Sequence, residues 1–197
     1  MTSLAPPPPG QKGDYYLHKE WYKAEIYLKD STKLSDAKIK IDLKANYIEI
    51  IVGTDIKVLP CSRVLAVSIA LPSGGREELI NENYTGMPRS AYNRLLRVVY
   101  EGKYVLYCKT VAELVPAASQ SPNPMVTNMT TKDNEIVLKK SYILVHGKDY
   151  VEISPIKGTF KEGMVKTFGD SVEPYVKKTN PKKEEELVVM AKELSTI

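Results

Sequence analysis

Any catalysis by this chain would have to be assembled from few reactive side chains: two histidines, His18 and His146, and two cysteines, Cys61 and Cys108, in 197 residues. A nucleophilic triad needs a histidine base beside a serine or cysteine. His18 stands in the polar stretch His18-Lys19-Glu20, and His146 precedes Gly147 at a hairpin mouth, where a turn-stabilising or solvent-facing role is expected. No C-x2-C or H-x3-H clasp is present, so no metal site is expected. "SGGRE" lacks both Walker spacing and the G-x-G-x-x-G pattern, so no nucleotide cofactor is expected either. Glu25, Asp42 and Glu49 fall on the polar sides of predicted strands and read as a solvated face rather than an acid/base pair. The chain is expected to be non-enzymatic, with no catalytic, cofactor-binding or metal-ligating residues.

The cysteines leave two readings open. In an oxidising compartment Cys61 and Cys108 could pair, and closing the loop between them would stabilise the fold by about 4 kcal/mol on chain-entropy grounds. They could equally be two buried thiols, since Cys108 shares a predicted strand face with Tyr104 and Leu106, where a small hydrophobe fits.

Composition narrows the partners. Hydrophobic residues make up 43% of the chain and charged ones 26%, which excludes wholesale disorder. The net charge of +4 arises from 28 Lys and Arg against 24 Asp and Glu, and the signs alternate along the chain. Nucleic acid is not an expected partner, because phosphate tracking needs clustered cations. No apolar run approaches a membrane span. The opening "MTSLAPPPPGQKG" lacks the basic start and apolar core of a signal peptide, whose absence from this chain is presumed. Thirteen tyrosines against two phenylalanines suit sheets with one wet face.

The elements that would position these residues follow from periodicity. In "KLSDAKIKIDL", Ala37, Ile39, Ile41 and Leu43 alternate with Asp36, Lys38, Lys40 and Asp42, the period of a half-buried strand. Ala24, Ile26 and Leu28 make a preceding strand, with "DST" turning between the two. Ile48, Ile50 and Val52, then Ile56 and Val58 beyond "GTD", continue a meander. Leu65, Val67, Ile69 and Leu71 alternate with small residues, as in a central strand covered on both faces. Hairpins are expected over 94–111 and 141–154. The class is therefore α+β: a mainly antiparallel meander forming a sandwich or open barrel, with a C-terminal segment of short helices. Residues 1–14, with Pro6 to Pro9, read as a leader or linker, 15–155 as the β domain with a flexible loop at 115–134, and 156–197 as the helical segment.

In that last segment Thr159 and Glu162 have capping-box spacing, Phe160, Met164 and Phe168 share a helical face, and Gly169 is placed to stop the helix. A second helix is expected from Asp170. A third starts with Asn180 as N-cap and Pro181 at the first helical position and presents Leu187, Met190 and Leu194. Helices this short need an apolar surface. Docking on the sheet is expected for the first, and a partner's surface for the third. Leu187, Met190 and Leu194 thus join Trp21 and Tyr22 as candidate surface contacts. Asn83-Tyr84-Thr85 and Asn128-Met129-Thr130 match the glycosylation sequon and are expected in surface loops.

Tyr16-Leu17, Glu20-Trp21, "LKDST", "KIKIDLKANYIEI" and "GKDYVEISPIKGTFKEGMVKTFGDSVEPYVKK" together resemble a family of uncharacterised exported β-rich proteins of Bacteroidota without assigned activity. That family reads Leu-Lys-Asp-Gly at its first hairpin, where this chain has Ser31 and Thr32, and Tyr-Asp-Leu-Tyr on its third strand, where this chain has Ile41 to Lys44. The resemblance implies export to the periplasm or cell surface. The leading expectation is a cell-envelope protein acting through association with a protein partner. The alternatives are a β-barrel carrier of a small apolar or lipid-like ligand, and a glycan-binding module built on Trp21 and its neighbouring tyrosines. Alternation makes Ile41→Asp severely destabilising, by about 3 kcal/mol or more, since it buries an unpaired carboxylate. A denaturation midpoint unchanged by that substitution would overturn the strand assignment.

Overall fold

The computed structural model describes residues 11–116 and 134–197, so the expected loop at 115–134 and Asn128 fall almost wholly outside the described residues. Among the described residues, eleven strands form one open sheet: β1 (Gln11–Lys12), β2 (Tyr22–Leu28), β3 (Lys33–Asp42), β4 (Tyr47–Val52), β5 (Asp55–Pro60), β6 (Val64–Ala70), β7 (Arg76–Asn81), β8 (Leu95–Tyr100), β9 (Val105–Val115), β10 (Asn134–His146) and β11 (Asp149–Ile153). The order is β1-β10-β9-β8-β7-β6-β2-β3-β4-β5, with β11 also on β10. All pairings are antiparallel except β1 with β10. Three short helices follow: α1 (Lys157–Phe168), α2 (Glu173–Lys178) and α3 (Glu184–Leu194).

Three apolar clusters form the core among the described residues, one on β2–β7 and two on opposite faces of the sheet beyond it. Ala24, Ile26 and Leu28 of β2 pack with Ile39 and Ile41 of β3, Ile48 and Ile50 of β4, and Val67 and Ile69 of β6. Alternation thus places the expected residues inside, with two local departures. Between Ala24 and Ile26 the β2–β3 register shifts by one residue, and Asp36 takes a positive φ of 55°. This bulge moves the core parity from odd positions to Leu34. A second shift, opposite Tyr27 and Leu28, makes Leu65 the extra residue of β6, so Val64 rather than Leu65 enters the core. The meander's last strand also departs from expectation. Ile56 and Val58 lie opposite Ile51 and Glu49 on the outer face, and only Leu59 of that strand is buried with the core.

Across β8, β11 and the stretches of β9 and β10 beside them, both faces of the sheet are covered. Leu96, Tyr107, Ile143 and Val145 pack with Met87 from the 82–94 segment. On the other face Tyr104, Leu106, Leu144, Val151 and Ile153 meet Phe160 and Met164 of α1, Val176 of α2, and Leu187, Met190, Ala191 and Leu194 of α3. The third helix therefore packs on its own chain: the candidate surface contacts Leu187, Met190 and Leu194 are fully buried. Antiparallel strands leave one face open, and a helix of 11 residues tethered close by is the nearest apolar cover.

Several sequence expectations shift for local reasons. Residues 11–14 are not wholly linker, since β1 pairs with the start of β10. The strand β7 escaped notice because Arg76, Glu77 and Glu78 mask its alternation, and β10 extends seven residues before the expected 141 because its middle is polar. Ile156, not a side-chain cap, precedes α1, so the Thr159–Glu162 spacing lies inside the helix. Gly169, at φ 87°, ends that helix as expected. Asn180 does not cap α3: its side chain accepts from the Lys182 N–H in a turn, Glu186 reaches back to accept from the Asn180 N–H, and the helix begins at Glu184.

Deleting residues 180–197 would uncover the face formed by Tyr104, Leu106 and Leu144. Large buried side chains are worth about 2–5 kcal/mol each against a total stability of about 5–15 kcal/mol. Loss of a cooperative thermal transition is expected in calorimetry. An unchanged melt would show that α3 is not part of the core.

Candidate functional site

Between the β2–β7 core and the core under the helices, charged and polar side chains from four elements and from the segment before β2 meet. Glu77 of β7 bonds His18 Nε2 at 2.6 Å through Oε2, and its Oε1 lies 3.6 Å from Arg97 Nε on β8. The Arg97 guanidinium donates to Glu184 Oε2 of α3 at 2.5 Å, and the Tyr142 hydroxyl of β10 donates to the same oxygen at 2.7 Å. Beside this chain lies a cleft of about 250 Å³, with Leu17, Leu43 and Leu95 along one side and Cys108, Thr110 and Lys140 along the other. Neighbouring strands fix the placement, since Arg97 and Cys108 are cross-strand partners, as are Cys108 and Tyr142.

The electrostatics favour a clamp over a reactive centre. Burial alone would raise the Glu184 carboxyl, but the bonds from Arg97 and Tyr142, with the charges of Arg97 and Lys140, hold it below its ordinary 4.5. Tyr142 is pushed well above the usual phenol range, by burial first and by Glu184 second, so it remains a donor. Arg97, gripped by two carboxylates, ties β7 and β8 to α3. Ser195 holds the other end of that helix by accepting the Tyr104 N–H at 3.1 Å.

A second cluster lies on the outer face of β3 and β4. Residues 15–17 run alongside β3, with Leu17 N–H donating to Ile41 and Leu43 N–H donating to Tyr15. Glu49, expected on a solvated face, is 1% exposed: the Tyr16 hydroxyl covers it and donates to Oε1 at 2.9 Å, while Oε2 has no hydrogen-bond partner among the described residues. Lys40, its cross-strand neighbour, places its ammonium 5.0 Å from the Tyr16 ring and 5.4 Å from the Trp21 ring. Trp21 is therefore half-buried and engaged by its own chain. Tyr22, half-buried too, packs on the N-terminal core and against the His18 ring.

The remaining candidates separate. Cys61 and Cys108 are both buried free thiols, and no disulfide joins them. Cys61 belongs to the core of β2–β7, whereas Cys108 sits on β9 between Arg97 and Tyr142, so each strand framework holds its own cysteine. Burial, with the Asp42 charge adding, pushes the Cys61 thiol up to about 12, which removes thiolate character at neutral pH. His146 stacks on Tyr104 with ring centroids 4.4 Å apart. The Asn83 amide of the first sequon donates to Ser90 and Asn93 and is built into the 82–94 segment.

Sequence reasoning missed Glu77, Arg97 and the clamp role of Glu184; the signal available was charge at interior strand positions, in "REELIN" and "LLRVVY". It also missed the exposure of β5. That strand ends the sheet, and its far edge pairs with no strand among the described residues. No group of three or more metal-ligating side chains occurs among the described residues. No family model, curated protein or solved structure matches this chain.

Because the Glu184 carboxyl is depressed in the folded state, the stability it contributes is present above about pH 4.5 and is lost as pH falls through the lower folded value. Glu184→Gln is expected to flatten that acid limb in denaturant melts between about pH 3 and 7 and to lower stability at neutral pH. Superimposable profiles for the two proteins would show the clamp to be idle.

Proposed function

We propose that this protein is a non-enzymatic association protein of the cell envelope that engages a protein partner through the free edge of β5. One observation carries the reading: Val52, Ile56 and Val58 are 47%, 41% and 57% exposed on or beside a strand with an unpaired edge. An edge strand presents a row of free N–H and C=O groups, and natural sheets blunt such edges unless they are used. Exposed aliphatics along it add apolar area to the main-chain bonds of strand addition. The envelope location rests on the family resemblance.

The rival readings draw less support. A carrier needs an unfilled barrel, and the interior of β2–β7 is packed with aliphatic side chains. A glycan platform needs an open ring face, and Lys40 lies over that of Trp21.

The test exploits strand geometry. Ile56 faces Ile51 one step from the two-residue Gly53-Thr54 loop that joins β4 to β5. Such a loop makes Val52 and Asp55 the last hydrogen-bonded pair, so the Ile56 N–H points away from β4. Ile56→Pro therefore removes an outward donor while leaving the β4 ladder intact. Affinity capture from envelope extract is expected to fail for Ile56→Pro and persist for Val189→Lys, a change at an exposed position on α3. Equal capture by both variants would overturn the edge as contact element.

A further inference from the structure

We infer that the partner at the β5 edge is a second copy of this chain, paired antiparallel about a two-fold axis at Ile56. The inference rests on the association reading above and deepens it. Hydrogen bonds to β4 alternate along β5, at Asp55, Lys57 and Leu59, so the groups free to bond outward belong to Ile56 and Val58. An isologous antiparallel contact keeps outward-bonding residues opposite one another whenever its axis passes through a residue, so Ile56, Lys57 and Val58 are possible centres, and Lys57 is ruled out because it would face Lys57 of the other copy.

Side-chain chemistry then chooses between the centres. Centring on Val58 would set Ile56 opposite Pro60, which has no N–H to give. Centring on Ile56 lays Ile56 beside Ile56 of the other copy, Thr54 beside Val58, and Asp55 beside Lys57, twice over by symmetry. The segment Asp55-Ile56-Lys57 is thus its own charge complement when read antiparallel. Lys57 lies on the same side of the strand as the buried Leu59, and an inward charge on an edge ordinarily discourages strand addition. Asp55 of a second copy removes that obstacle, so the edge admits its own sequence in preference to a generic strand.

Charge reversal tests the register with purified full-length protein in analytical ultracentrifugation. The wild-type chain is expected to show a monomer–dimer equilibrium that Ile56→Pro abolishes. Asp55→Lys and Lys57→Asp each replace two opposite-charge pairs by like-charge ones and are expected to weaken the dimer about ten-fold. Mixing the two variants restores both opposite-charge pairs, and a heterodimer of near wild-type affinity is expected. Failure of the mixture to associate better than either variant alone would overturn the register. A wild-type chain that stays monomeric while Ile56→Pro still loses capture from extract would overturn the second copy and leave the association reading standing. A dimer indifferent to Ile56→Pro would remove β5 from both.

Discussion

The C-terminal half of this protein depends on one burial event: the apolar face of α3, with Leu187, Met190, Ala191 and Leu194, laid on Tyr104, Leu106 and Leu144. Strands β8 to β10 are covered on two faces, and on one of them the apolar cover among the described residues comes from the chain's end. The helices in turn are too short to persist in water alone. Each side makes the other stable, and the polar contacts at Glu184 and Ser195 set where along the sheet the helix comes to rest.

The charged seam follows from that arrangement. Arg97 projects from the middle of the sheet where two cores meet, and a guanidinium there is tolerable only with carboxylates on it. Glu77 supplies one from the neighbouring strand and Glu184 one from the helix, while His18 ties in the segment that precedes β2. A pair of this kind adds less net stability than register: a shifted helix would strand Arg97 between unpaired positions. Its groups are committed to one another, which suits a fixed joint between the halves.

An open sheet of this length has to account for its ends. At one end β10 carries both β1 and β11, and α1 packs on the latter. At the other, the outer edge of β5 pairs with no strand among the described residues, with aliphatics exposed and a charge pattern that is its own complement when read antiparallel. The proposed contact function rests on the free edge at the β5 end. The association reading follows from backbone groups and aliphatic side chains, and needs nothing from the buried cysteines or the stacked histidine.

Periodicity alone determined much of the architecture. Ala24, Ile26, Ile39, Ile41, Ile48 and Ile50 are buried as their alternation requires, and Phe160, Met164 and Leu187 line helical faces, because side-chain direction along a strand or helix is a local property of the backbone. What covers each face is not local. The chain's own sheet, instead of a partner, takes up Leu187, Met190 and Leu194, and a strap led by Tyr16 buries Glu49 on a face that alternation marks as wet. Bulges at Asp36 and Leu65 shift the core parity by one residue, a change that only pairing with the next strand reveals. The cysteines stay apart and Ile56 and Val58 stay outside for the same reason: strand order, set by contacts distant in sequence, decides which faces and edges meet and which are left to solvent.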